Sequence, residues 1–594
     1  MDRRTLDFLM HEVLKVEGLC AAPRYAEHQR ATFDAAIELA HRLAVEKLLP
    51  HNRKSDANEP QMVDGRVQLI PEIGEAVAAY NEAGFCAALA DFDDGGMQLP
   101  FVVASACDLL FAGANPGTVA YPSLARAAAN LLGAHGTPDQ QRRYMAPIIQ
   151  GRWYGTMCLS EPAAGSSLGD IRTAAVLMPD GRYKLQGAKM WISAGDHELG
   201  ENIVHLVLAR IAGAPAGVRG ISLFLVPRWR VNEDGSIGER NDVRLAGLNH
   251  KLGQRGSVNT FLKFGEQDDC YGELVGAPNQ GLACMFHMMN EERIAVGMGA
   301  IANGLVGYLY SLQYAKERRQ GRHPDQKDPA STPVTLIEHA DVRRMLLRQK
   351  CLVEGALSLG LYASKLVDEE HLAEGEAATE INLLLELLTP VVKAWSSTYC
   401  LVANDLAIQI LGGYGYTREY PVEQCWRDNR INPIHEGTNG IQALDLLGRK
   451  VMMQQGAAFR ILMARVAKTI AKADMHDDLK PMCAVLRTNF DRLAKLAQLL
   501  GARMAAGEVR PVLANAEQFM HAFGHNVIAW MWLMMAHRAE HGRVDGAATD
   551  ATFYLSKIAT AQAFFATELP TAEAAFEALE KGEDSAFRFE PDWF

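Results

Sequence analysis

Apolar residues are spaced in three textures along the chain. In residues 31–49 (ATFDAAIELAHRLAVEKLL) and 123–136 (SLARAAANLLGAHG) they recur three and four apart, which predicts amphipathic helices. Thr137-Pro138-Asp139 opens a further helix, with proline in the first turn, where its missing N–H costs nothing. From Trp153 to about Gly276, short β-branched and aromatic runs alternate with turns: WYGTMCL, YKLQGAKMWISA, IVHLVLARI, ISLFLVP and NTFLKF. Asp180-Gly181 marks the tip of a hairpin. Helical spacing returns at Gly281 and continues to the C-terminus, broken by a polar, proline-bearing loop at 321–333. The expected fold is α+β, mainly α, in four parts. These are an N-terminal helical domain (1–152), a middle β domain (153–278), a helical bundle (279–456) and a C-terminal helical extension (457–594). No βαβ alternation and no GxGxxG follow a first strand, so a dinucleotide here would not sit on a Rossmann fold.

Composition narrows the classes. A formal charge of -12 over 594 residues opposes a nucleic-acid surface. The ten cysteines include no CxxC and no Cys/His cluster at ligand spacing, which predicts reduced thiols, no structural metal and a cytoplasmic setting. The N-terminus lacks an apolar signal region. No apolar run approaches the roughly 18 residues of a membrane span. The nearest, VIAWMWLMMA at 527–536, predicts a buried bundle helix, with peripheral membrane contact as the alternative.

Four stretches carry candidate chemistry. Residues 157–167 (MCLSEPAAGSS) offer backbone N–H groups and hydroxyls in a turn, able to bind an anion or a heteroaromatic edge; a strand ending in a Pro/Gly turn reads equally well. Residues 189–193 (KMWIS) read as a strand whose Trp191 packs in a core. Gln409, Gly412, Gly413 and Gly415 form a glycine-rich run where backbone permits close approach. Glu436 stands between His435 and a Gly437-Thr438-Asn439 turn.

With residues 251–257 (KLGQRGS), 290–294 (NEERI) and 314–320 (YAKERRQ), these blocks resemble the acyl-CoA dehydrogenase family in order and spacing over roughly residues 40–450. The length resembles its longer bacterial branch, which includes 3-methylthiopropionyl-CoA and related long-chain enzymes. The resemblance implies an FAD-dependent dehydrogenation of an acyl-CoA, with electrons passing to an electron-transferring flavoprotein. It implies flavin contacts from Met157, Leu159, Ser160, Ser166, Trp191, Ile192 and Ser193. Arg318 and Gln320, with Gln409, Gly412 and Gly413, would hold the diphosphate of a flavin in a neighbouring subunit, and Thr438 and Asn439 would follow onto phosphates. Ser166, Asn290, Arg293, His435 and Gly437 would line the substrate. Glu436 would be the base; Glu292, beside Arg293, is the alternative position, and we expect it instead to be a helix N-terminal residue facing the macrodipole. Departures from the family pattern are Ser167, Gln320, Gly321, His435 and Gly440. An oxygen-using oxidase is an alternative. A DNA-binding alkylation-response flavoprotein is another, opposed by 15 Lys/Arg against 17 Asp/Glu in residues 457–594. A flavin site completed by a neighbour implies a homo-oligomer, with a dimer expected.

Overall fold

The structure, a computed structural model, describes residues 2–545 and 550–594, apart from the side chains of 286–289 and 545. Its contacts divide the chain into two compact units. One is Arg30–Glu292; the other is Met1–Gln29 with Arg293–Phe594.

In the first unit, helices Arg30–Leu43 (α1), Pro71–Glu82 (α2), Phe101–Ala114 (α3) and Pro116–His135 (α4) precede the main sheet. Asn115 caps α4 by accepting from the Thr118 N–H, and Pro116 takes the first-turn position. Thr137 and Gln140 form the capping box of the next turn. A small hairpin, Gln61–Val63 (β1) and Arg66–Gln68 (β2), turns at Asp64 and Gly65, with φ of 50° and 76°. Three-residue strands are too short to show a period, so the spacing argument passed over it.

The large sheet uses Trp153–Cys158 (β3), Ala174–Leu177 (β4), Tyr183–Ser193 (β5), Asn202–Ile211 (β6), Ile221–Pro227 (β7), Val243–Leu248 (β10), Asn259–Phe264 (β11) and Tyr271–Val275 (β12). Trp229–Val231 (β8) and Ile237–Arg240 (β9) pair separately. The order is β10-β11-β5-β12-β7-β6-β3, with β4 beside β5 and β6. The β4–β5 hairpin turns at Asp180-Gly181, with Gly181 at φ 84°. Every residue of β7 is buried, which explains a sequence that is apolar but for Ser222, whose hydroxyl accepts from the Asn279 N–H at 2.8 Å.

The second unit is helical: Gly281–Glu317 (α5, within which the division falls), Ala340–Leu372 (α6), Gly375–Leu411 (α7), Val422–Asn429 (α8), Asn439–Asp445 (α9), Met453–Ala473 (α10), Lys480–Ala505 (α11) and Ala516–Asp545 (α12). Residues 454–456 at the start of α10 are left-handed, so its regular part begins after them. The apolar run 527–536 lies in α12 as core. Trp530 donates to Thr469 Oγ1 at 2.8 Å, and Trp532 donates to the Cys351 carbonyl at 3.0 Å. Helix α5 is long and apolar enough to pass for a membrane span by composition, but 72% of that stretch is buried in the protein.

The first 29 residues pack with this second unit, a division that a 1–152 helical domain does not contain. Arg4 pairs with Glu12 at 2.7 Å and Asp550 at 3.2 Å. Lys557 donates to Thr5 at 2.8 Å, and Tyr25 donates to Asp368 at 3.0 Å. The contacts to Asp550, Lys557 and Asp368 join residues hundreds of positions apart, beyond the reach of periodicity.

Candidate active site

Glu436 sits in the loop between α8 and α9, with φ of 52°. A left-handed non-glycine residue costs on the order of 1–3 kcal/mol, so its surroundings must enforce it. Gly437 follows at φ 82°, and a Cβ there would stand 2.5 Å from Gln442 Nε2. That amide donates to the Glu436 carbonyl at 3.2 Å. Thr438 caps α9 by accepting from the Ile441 N–H at 3.3 Å. Asn439 Oδ1 accepts from Lys393 and from Ser397, both at 3.1 Å. Its Nδ2 donates to the Ala394 carbonyl at 3.2 Å and to Thr398 at 2.8 Å. The Asn439 side chain therefore ties the loop to α7 with both donors engaged, which leaves it poorly placed for the phosphate role expected from sequence.

A chain of buried amides fixes the other side of the loop. His435 Nε2 lies 2.9 Å from Asn432 Oδ1. Asn432 donates to Asn429 at 2.8 Å, Asn429 to Asn404 at 2.7 Å, and Asn404 to the Asn303 carbonyl at 2.8 Å. Because each amide donates onward, Asn432 presents an oxygen to His435, and the imidazole carries its proton on Nε2. Burial, then Lys393, lowers the His435 pKa to about 3, so the ring is neutral and Nδ1 is an acceptor.

Charge converges on Glu436. Burial raises its pKa, while Arg293 and Lys393 act in the opposite sense. Arg293 is 5% exposed, and its guanidinium reaches Asp445 at 3.9 Å. Burial draws the Arg293 pKa down, opposed by Asp445 and Glu436. Lys393 is fully buried in α7, and desolvation takes its pKa to about 7, opposed by Glu436. Arg293, predicted from sequence, thus meets the predicted base. Lys393 was missed; an isolated lysine in the apolar run TPVVKAWSS was its only signal. Glu517 of α12 also faces this loop. Its pKa is raised by burial and lowered by Lys393, and a Cβ on Gly440 would stand 3.6 Å from its Oε1. The glycine at 440 leaves that space to a carboxylate of the C-terminal extension.

The expected macrodipole role of Glu292 fails. Helix α5 begins at Gly281, so Asn290 and Glu292 lie in its third and fourth turns. The dipole acts only within the first turn.

A second cluster lines a cleft of about 620 Å³ formed by Arg318, Gln320, Tyr414, Gly412, Gly413 and neighbours. Gly412 adopts φ 62° and ψ -135°, a glycine-only conformation. A Cβ on Gly412 or Gly413 would meet nothing within 4 Å, so backbone lies open. The Arg318 guanidinium stands 5.5 Å over the Tyr414 ring. Gln320 is held through its carbonyl, 2.7 Å from His339 Nε2.

In the first unit, a buried ion pair joins the 157–167 loop to β5. Lys189 donates to the Leu159 carbonyl and to Glu161, both at 2.9 Å, and Met190 N–H donates to the Ser160 carbonyl at 3.0 Å. Glu161 also accepts from the Arg172 and Thr173 N–H groups and the Thr173 hydroxyl. The Met157, Leu159 and Ser160 backbone is thereby set beside Trp191, Ile192 and Ser193. The Ser167 hydroxyl donates to Asp170, and Ser166 is exposed. Trp191 is not the core residue its strand context suggested: it is 61% exposed at φ 66°. The register shift between Thr260 and Leu262 of β11, opposite it, turns it out of the sheet. Ile192, 2% exposed, lies in the core, and its carbonyl accepts from the buried Thr260 hydroxyl at 2.9 Å.

Residues 156–264 match the acyl-CoA dehydrogenase middle domain, residues 279–452 the acyl-CoA dehydrogenase C-terminal domain, and residues 462–590 the acetyl-CoA dehydrogenase C-terminal-like domain. The chain is 35% identical to 3-methylmercaptopropionyl-CoA dehydrogenase of Ruegeria pomeroyi, over 94% of each chain. It is 33% identical to a butyryl-CoA dehydrogenase of Syntrophomonas wolfei, over 100% of this chain and 98% of that one. Its fold is similar to that of a Bacillus anthracis acyl-CoA dehydrogenase solved with FAD, with a TM-score of 0.73, 20% identity, and coverage of 95% and 90%. The chain belongs to the acyl-CoA dehydrogenase family and is an oxidoreductase of that class.

Proposed function

We propose that the protein catalyses FAD-dependent α,β-dehydrogenation of a short straight-chain acyl-CoA to the trans-2-enoyl-CoA, with Glu436 as the base and an electron-transferring flavoprotein as acceptor. The observation that carries this reading is the Glu436 loop: a strained, half-buried carboxylate with a raised pKa, held by Gln442 and α7 and flanked by two buried cations. The substrate class rests on relatives named for 3-methylmercaptopropionyl-CoA and butyryl-CoA. Each unit by itself offers features that suit part of a flavin dinucleotide: in the second, open glycine backbone beside Arg318 suits a diphosphate, and in the first, exposed Trp191 offers a planar face.

FAD, when bound, accepts the hydride from the substrate β-carbon. The protein supplies the rest. Glu436 takes the α-proton, and its raised pKa brings the carboxylate nearer the weakly acidic C–H. Arg293 and Lys393 oppose that rise and favour the ionised form. Gln442 and Asn439 hold the loop, and His435 closes the wall as a neutral ring.

The test is the anaerobic visible spectrum of purified protein during titration with short, medium and long acyl-CoAs. A yellow protein that short chains bleach is the expected result. Glu436→Gln should keep its colour but bleach about 10³-fold more slowly, whereas Glu292→Gln bleaches near the wild-type rate. A colourless protein that rejects FAD overturns the cofactor assignment, and the reverse variant pattern moves the base to Glu292.

A further inference from the structure

Three imidazoles meet in the C-terminal extension, none of them a residue named above for the candidate site. His537 and His541 stand one turn apart on α12, and His476 enters from the turn between α10 and α11. One ring nitrogen from each lies within 4.8 Å of the others. The ring centroids are 5.4 Å apart for His476 and His537, 5.1 Å for His476 and His541, and 4.7 Å for His537 and His541. Three imidazoles on one tetrahedral ion, at about 2.0–2.1 Å from nitrogen to metal, place their centroids about 5 Å apart. The observed spacing therefore needs only ring rotation to bring the nitrogens together. His537 Nδ1 is buried and has no hydrogen-bond partner among the described residues. A buried nitrogen lone pair normally finds a donor, and here the nearest groups are two more imidazoles.

We propose that His476, His537 and His541 form a binding site for a divalent transition ion of the zinc class, clamping the 474–479 turn onto α12. The donor set is nitrogen alone, which selects zinc, nickel or copper over calcium and magnesium, whose sites are built from oxygen. An imidazole binds such an ion in its neutral form, and Lys472 and Arg538 act on His537 electrostatically. The same two cations repel a metal ion, so the expected affinity is micromolar, with water completing the coordination. Sequence spacing missed the site because only two ligands are near in the chain; the third comes from a different turn.

The test uses tag-free, full-length protein stripped with chelator and titrated with zinc chloride by calorimetry, with metal content and Tm measured in parallel. One zinc per chain and a raised Tm are expected. Magnesium and calcium should bind no better than to the variants. His476→Asn and His541→Asn should each weaken zinc binding more than about tenfold, with acyl-CoA turnover unchanged. Absence of stoichiometric zinc in the wild type, or equal uptake by the double variant, overturns the proposal.

Discussion

At the scale of single residues, Glu436 acts through its neighbours as much as through its own chemistry. Burial raises its pKa, and two cations limit the rise. Lys393 is the more telling of the two, because a fully buried lysine is costly and, among the described residues, its ammonium donates to Asn439 alone. Replacing it with methionine removes the positive charge but keeps the volume. In Lys393→Met the acid limb of the pH–rate profile should move up by about one unit, a tenfold loss of rate on that limb. The folded protein should survive, since a buried charge replaced by an apolar side chain is often tolerated. An unmoved acid limb would show that Lys393 serves only the loop's geometry.

Between elements, the decisive device is the Glu161–Lys189 pair. Strand β5 alone would place Trp191 on a sheet face; the bulge turns it out, and the ion pair draws the 157–167 loop alongside. Burial would raise the Glu161 pKa, but Lys189 and the Thr173 and Arg172 donors outweigh it and hold it low. Glu161→Gln leaves Lys189 buried without its counter-charge, and about 3–5 kcal/mol of stability should be lost, read as a lower midpoint in urea. If the joint sets the flavin surface, FAD retention should weaken in the same variant. Unchanged retention alongside lowered stability would separate the two roles.

Across the whole molecule, buried imidazoles set the response to acid. His197, His205, His435 and His525 are drawn down to about 3, mainly by burial, and His51 and His521 are lowered as well. The unfolded chain takes up protons at these sites near pH 6.5, whereas the folded chain resists, the first four of them until near pH 3. Their contribution is complete above about pH 6.5 and is lost as pH falls through that window. The raised carboxyls Glu436, Glu517 and Glu568 work oppositely, being more stable when protonated. Six imidazoles outweigh three carboxyls, so Tm at pH 5.5 should lie below that at pH 7.5. Calorimetry at the two pH values decides it, and an equal or higher Tm at pH 5.5 would mean the carboxyls dominate.

Much of this was legible in the sequence. Apolar spacing gave the helix–sheet–helix order, and local turn chemistry marked the Asp180-Gly181 hairpin and the Thr137 cap, because those signals act over a few residues. The order of the short motifs pointed to Glu436, Arg293, Arg318 and the glycines at 412 and 413. Tertiary structure alone decided what depends on burial and on distant partners. It set the exposure of Trp191, the true start of α5 that moves Glu292 out of the first turn, and the attachment of residues 2–29 to the second unit. It also assembled Lys393, Gln442 and Glu517 around the base and brought His476 to His537 and His541. Charge in a protein is read through desolvation and proximity, and neither is written in the spacing of residues along a chain.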